Sequence, residues 1–232
     1  MAEEVCPRTA EIVRKEMIER LSSYISQKRH ELGPLVVGIT GMDTSGKSEM
    51  TKLLARELEN AGHTVQVVHL DDFHRSRAER YRVGLLEPVQ YYEHSFDFEW
   101  LITELLIPIR NEGQLEKSLT CLDVLKDTWT IERRYSVNAD TIVLLEGVFL
   151  FRAEISQFLD LVIFLQVDES TVVERARLRD LPIQGEEVWR KYQKKYLPAQ
   201  RAYLEEYPPE RNAGIILDNN DWANPKVIKW PE

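Results

Sequence analysis

Residues 35–48 read Leu35-Val36-Val37-Gly38-Ile39-Thr40-Gly41-Met42-Asp43-Thr44-Ser45-Gly46-Lys47-Ser48. The first six are apolar or glycine apart from Thr40, with β-branched Val36 and Val37, which suits a buried strand. Gly41 to Ser48 then match G-x-x-x-x-G-K-[ST], and a helical run follows. The chemistry explains the spacing. Gly41 and Gly46 let backbone wrap closely around phosphate with no Cβ in the way. Successive N–H groups of Met42, Asp43, Thr44 and Ser45 can point at phosphate oxygens, and the next helix, opening near Glu49, adds the positive end of its dipole. In this pattern Lys47 reaches β- and γ-phosphates and the Ser48 hydroxyl ligates Mg²⁺.

Outward from this loop, strand and helix patterns alternate. Thr9 to Leu32 carries Ile12, Val13, Met17, Leu21, Tyr24 and Ile25 at helical spacing, closed by Gly33-Pro34. Glu49 to Ala61 reads as a helix and Thr64 to Leu70 as a second strand. Asp71 to Glu93 is polar and irregular, which suits a functional loop. Phe96 to Asn111 is an amphipathic helix. Ser118 to Val137 reads as a hairpin. Thr141–Phe149, Asp160–Val167 and Gly214–Leu217 are buried strands. Thr171 to Asp180 is helical, Leu181 to Gly185 is a break, and Glu186 to Tyr207 is a long helix interrupted at Pro198. The expected fold is α/β: one domain over 1–232, an N-terminal helix in 1–33 and a core over 34–221. Its sheet should be doubly wound and mostly parallel, flanked by helices, with a small β-hairpin lobe and a helical lid.

Composition narrows the function. The chain has 232 residues and a net charge of −9, which disfavours nucleic acid as a partner. Cys6 and Cys121 stand far apart in no metal or redox pattern, so a reducing compartment and no disulfide are expected. No apolar run reaches 18 residues and the N-terminus has no apolar signal core, so the expectation is a cytoplasmic protein with no membrane partner.

Ligands of such sheets sit at the carboxyl ends of the strands. Asp71-Asp72-Phe73-His74 follows the second strand, where a carboxylate can take a proton from a hydroxyl. Glu146 closes Leu144-Leu145-Glu146-Gly147, where an acidic residue faces a metal, normally through water. Arg175, Arg177 and Arg179 precede the break at Pro182, and Arg175 and Arg179 share a helix face from which they can close over a phosphate. His30 and His63 read as surface residues and His69 as a core or edge residue. His74 and His94 fall where a substrate belongs. No His/Cys spacing suits zinc.

Together, the phosphate loop, Asp71-x-Phe73-His74, Tyr92-Glu93-His94, Leu144 to Gly147 and the Arg175–Asp180 segment resemble the uridine kinase-like group of phosphate-loop (P-loop) kinases. The resemblance covers roughly residues 36–221. It implies a phosphotransferase of P-loop NTPase fold using ATP and Mg²⁺ on an alcohol group of a small, nucleoside-like acceptor. It implies Asp71 as catalytic base, with Lys47 and Arg179 on the transferring group. Residues 41–49 and Arg175 would hold the nucleotide, and Ser48 and Glu146 the metal. Glu93 stands where the group has an acidic residue on ribose hydroxyls, and His74 replaces a Tyr of the nucleoside site, with His94 beside them. Asp123, Asp127 and Arg133 are the nearest candidates for reading a base. Asp218 to Asp221 resembles the segment beside adenine. The N-K-x-D base reader of GTPase switches is absent. A kinase for nicotinamide riboside, pantothenate or a sugar phosphate, or a non-catalytic nucleotide-binding regulator, is the alternative. The oligomeric state stays open, a homo-oligomer included.

Overall fold

A computed structural model of the chain describes residues 7–28 and 33–231; Cys6 and His30 lie outside the described residues. Six strands make one sheet in the order β2-β5-β1-β6-β7-β8. They are β1 (Leu35–Gly41), β2 (Thr64–His69), β5 (Thr141–Gly147), β6 (Leu161–Gln166), β7 (Ile215–Asp218) and β8 (Lys226–Lys229). All neighbours pair parallel except β7 with β8. β3 (Leu115–Asp123) and β4 (Thr128–Val137) form a separate antiparallel hairpin.

The central strands are continuous apolar runs because both faces are covered. Val36, Val143, Leu145, Val162 and Phe164 face one side. Val37, Ile39, Ile142, Leu144 and Ile163 face the other. On that second side lie α1 (Pro7–Lys28) and α2 (Lys47–Asn60), which bring Ile18, Leu21, Ile25, Leu54 and Leu58. The first side is covered by a helix made of α5 (Phe98–Leu101), a π turn (Ile102–Leu106) and α6 (Ile107–Glu112). Its Leu101, Leu105, Leu106 and Ile109 are buried there with Tyr203.

The segment after β2 holds more structure than its polarity predicts. A 3-10 turn (Leu70–Phe73), α3 (Arg77–Arg80) and α4 (Glu87–His94) occupy it. Pro88 sits in the first turn of α4, where no N–H is needed. After β5 come α7 (Ala153–Ser156), α8 (Glu169–Arg179) and α9 (Leu181–Gln184). Next are α10 (Glu187–Lys191), a second π turn (Tyr192–Tyr196), α11 (Leu197–Glu206) and α12 (Pro209–Asn212). The expected interruption at Pro198 takes the form of that π turn.

Both π turns have one cause. Ile107 N–H reaches back five residues to the Ile102 carbonyl, and Leu197 N–H to that of Tyr192. Pro108 and Pro198 come next. A proline ring clashes with the carbonyl four residues before it, and widening the preceding turn relieves the clash.

The sheet also runs past residue 221. β8 is short, and its Lys226 and Ile228 are exposed, so neither a buried run nor a core-facing alternation marks it. Trp230 just beyond it packs edge-on against Tyr24 of α1, under the guanidinium of Arg20 at 3.9 Å. Among the described residues no helix is long and apolar enough to cross a membrane.

Candidate active site

The phosphate loop joins β1 to α2 at the carboxyl edge of the sheet. Gly46 caps α2 in the left-handed region at φ 96°, and a Cβ there would stand 2.7 Å from Asn219 Nδ2. That amide donates to the Ser45 carbonyl at 2.6 Å. Thr44 is also left-handed at φ 59°, which costs a β-branched residue of order 1–3 kcal/mol. Its hydroxyl donates to the Val172 carbonyl at 3.1 Å, and its own carbonyl accepts from Arg175. The guanidinium of Arg175 also donates to the carbonyls of Asn219 and Asn220 at 2.7 and 3.0 Å. Arg175 thus splints the loop to the 218–221 segment. Met42 packs its side chain among Val167, Val172 and Ala176.

Lys47 is buried, and its Nζ donates to the Met42 carbonyl at 2.8 Å. Asp43 is tied on two sides. Gln200 accepts from its backbone N–H at 2.9 Å and donates to its carboxylate at 2.6 Å, while the Tyr91 hydroxyl donates to the same carboxylate. Burial pushes the Asp43 carboxyl up and the Lys47 ammonium down, and the charge of each opposes the shift of the other.

These features fit a polyphosphate. The Ser45 hydroxyl is buried without a hydrogen-bond partner in the middle of the loop, the kind of orphan a phosphate oxygen satisfies. The metal-ligand candidates are all oxygen. Ser48 Oγ donates to Glu146 Oε1 at 3.1 Å, a hard donor set that suits Mg²⁺ completed by water and phosphate. Among the described residues no cluster of three His, Cys, Asp or Glu could hold a metal. His69, read as a core or edge residue, lies 2.7 Å from Glu146 through Nδ1. Burial works to raise the Glu146 carboxyl, but the His69 hydrogen bond and the Lys47 charge hold it below the usual carboxylate range. That same hydrogen bond raises His69.

The two aspartates after β2 point opposite ways. Asp71 is exposed and lines the cavity described below. Asp72 is buried, accepts both carboxylate bonds from Arg133 Nε at 2.9 and 3.0 Å, and accepts from the Tyr135 hydroxyl. Arg133 is therefore engaged in anchoring the hairpin. Asp123 caps the hairpin turn, and Asp127 accepts from the Arg77 backbone at 2.7 Å. All three base-reading candidates thus have structural partners. His74 Nδ1 lies 2.9 Å from the Asp71 carbonyl. A carbonyl can only accept, so Nδ1 carries the proton and Nε2 is left as the acceptor. Burial pushes His74 down, against the nearby Asp71.

Two cavities meet at the loop. The outer one, about 410 Å³, is lined by Thr44, Gly46, Lys47, Ser48, Glu49, Arg175 and Arg179. The inner one, about 210 Å³, has Asp71, His74, Glu146 and Asp43 on its wall with Tyr91, Phe96, Tyr192 and Tyr196. Thr44, Lys47, Ser48 and Arg179 line both. Arg179 is braced by Asp180 at 2.6 and 3.0 Å, and Asp180 by the Tyr192 hydroxyl at 2.8 Å.

Glu93 and His94 are not on either wall. The Glu93 carboxylate stands 3.6 Å from Arg152, and His94 Nδ1 is buried without a partner. The residues that sequence reasoning missed are Tyr91, Phe96, Tyr192, Tyr196, Asp180 and Gln200. Tyr192 and Tyr196 share a four-residue spacing that could have marked one wall.

No protein-family model matches the chain. Curated relatives do. It is 26% identical over 195 residues to uridine-cytidine kinase B of Dictyostelium discoideum, covering 81% of this chain and 76% of the relative. It is 26% identical over 189 residues to the uridine kinase of Leuconostoc citreum strain KM20, covering 80% and 88%. A solved structure described as a possible uridine kinase from Bacillus stearothermophilus aligns with TM-score 0.69 at 28% identity, over 87% of this chain and 97% of that one. The fold, with its loop, is that of the phosphate-loop kinases. Within that class the chain is similar to the uridine kinase-like group.

Proposed function

We propose that the chain transfers the γ-phosphate of ATP, with Mg²⁺, to a hydroxyl of a small molecule, foremost the 5′-hydroxyl of a ribonucleoside. The observation that carries this reading is the meeting of the two cavities at Lys47, Ser48 and Arg179, with Asp71 on the inner wall only. A donor in the outer cavity and an acceptor in the inner one would face each other across the residues suited to phosphoryl charge.

The roles follow from placement. The loop amides and Lys47 hold the donor phosphates. Ser48 and Glu146 would hold the metal, which when bound would supply neutralising charge to the phosphates. Asp71 accepts the proton of the attacking hydroxyl. Arg179, fixed by Asp180, covers the charge that builds on the transferred group. The aromatic wall excludes water and suits a ring-bearing acceptor. Most of the rate gain is positioning and electrostatics.

The nucleoside acceptor is supported by the relatives named uridine kinase. Glu93 enters by resemblance alone, since its carboxylate faces Arg152. The test compares uridine and cytidine with their 2′-deoxy forms. A site built on ribose hydroxyls rejects the deoxy analogue, because its own polar group is left unpaired. A higher kcat/KM for the ribo forms is expected, with the gap narrowed in Glu93→Gln. Equal rates would overturn the nucleoside reading and leave the kinase reading standing.

A further inference from the structure

Two cations are buried beside the inner cavity; among the described residues Arg80 has one long ion pair, to Asp127 at 3.8 Å, and Lys195 has none. Arg80 closes α3 and is 8% exposed; Lys195 lies in the second π turn and is 4% exposed. They share one ring. The Arg80 guanidinium carbon is 5.6 Å and Lys195 Nζ 4.4 Å from the centroid of Tyr81. Lys195 Nζ is also 5.6 and 5.9 Å from the rings of Tyr196 and Tyr91. Both of those rings line the inner cavity.

The neighbouring carboxylates are shared with other partners, although Glu87 still attracts Lys195, which also hydrogen-bonds Tyr81. Asp127 takes the Arg77 backbone N–H and stands 3.8 Å from Arg80. Glu87 is held by Arg190 at 2.8 Å. Arg80 Nε is buried with no partner. Among the described residues no carboxylate makes an ion pair with Lys195.

Aromatic faces soften the burial of a cation but do not neutralise it. Two like charges near one another add repulsion, and burial pushes the Lys195 ammonium down. Stability alone favours apolar residues in such a place. A buried cation pair is instead what a ligand of opposite charge requires, at a cost in stability.

We propose that Arg80 and Lys195 form an anion subsite adjoining the inner cavity, covered by Tyr81, whose ligand is a phosphate or carboxylate group. Its source is either an anionic group on the acceptor itself or a free anion acting as effector. Only the first source rests on the kinase reading.

The experiment is thermal unfolding of the full chain, loaded with Mg²⁺·ADP to fill the phosphate loop. It is titrated with inorganic phosphate or malonate at constant ionic strength. Tm is expected to rise by about 2–4 °C. The rise should vanish in Arg80→Gln and in Lys195→Met. Ligand-free Lys195→Met should be at least as stable as the parent. No rise in the parent, or an equal rise in Arg80→Gln, overturns the subsite. A lower Tm of ligand-free Lys195→Met also overturns it, because the lysine would then be serving the fold. None of these readings needs turnover, so they stand apart from the kinase assignment. Turnover then separates the sources. If the anion is the acceptor's own, Arg80→Gln lowers kcat/KM about 10- to 100-fold for anionic acceptors and spares neutral ones. If it is an effector, phosphate shifts the KM of a neutral acceptor in the parent and not in Arg80→Gln.

Discussion

Asp71 and Asp72 are adjacent in sequence and opposite in environment. Asp71 faces the inner cavity, whereas Asp72 is buried under Arg133 and Tyr135. Asp71→Asn should lower kcat by about 10²- to 10⁴-fold, the range for a lost general base, with ATP affinity kept. Asp72→Asn should instead lower stability by about 1–3 kcal/mol through the weakened buried hydrogen bonds. Steady-state kinetics and denaturant unfolding on both variants check this; the reverse pattern would exchange their roles. His74 gives a pH signature. Its folded pKa is depressed by burial, so its share of stability is present above the unfolded value of 6.5 and lost as pH falls through the folded one. The slope is at most about 1.4 kcal/mol per pH unit. His69 is raised by Glu146 and pulls the other way. The check is therefore the difference between parent and His74→Gln. Between pH 7 and pH 5 the parent should lose stability relative to the variant, and a pH-independent difference would contradict the assignment.

At the scale of elements, the loop, α4 and α11 meet at Asp43. Gln200 makes two bonds to it and Tyr91 shares its carboxylate. Gln200→Leu leaves a buried N–H and a carboxylate short of partners and should cost about 1–3 kcal/mol. Because it loosens the loop rather than removing a reacting group, KM for ATP should rise more than kcat falls. Unfolding curves and a KM–kcat split measure both, and an unchanged KM would contradict the positioning role. This latch was not legible in the sequence. Asp43 and Gln200 are separated by 157 residues, and no local pattern relates them. β1 and its loop were legible, because a buried run followed by G-x-x-x-x-G-K-[ST] is local information. The hairpin was legible for the same reason, whereas the break expected over Leu181 to Gly185 is confined to Gly185, because Leu181–Gln184 is helical with Pro182 in its first turn. α4 and β8 were not legible. α4 carries Pro88 in its first turn within a largely polar segment, and β8 is a four-residue edge strand.

For the molecule as a whole, the start of α2, the turn after β2, the end of β5 and the end of α8 bring Lys47, Asp71, Glu146 and Arg179 to one cavity. Three of these are single carboxylate or guanidinium groups whose meaning in the sequence came only from the phosphate loop nearby. The proposed acceptor side was harder to read, because its wall is built of aromatic side chains from α4 and the second π turn. The donor side should need a divalent cation with hard oxygen ligands, so excess EDTA should abolish turnover and Mg²⁺ restore it. The most direct test of the central claim is an ATP-consumption screen over hydroxyl-bearing small molecules, run on the parent and on Lys47→Ala. The screen includes uridine, cytidine, nicotinamide riboside and pantothenate. The arrangement of the two cavities predicts ADP formation that depends on one acceptor class and nearly disappears in Lys47→Ala. ATP consumption indifferent to every acceptor, or undiminished in Lys47→Ala, would contradict it.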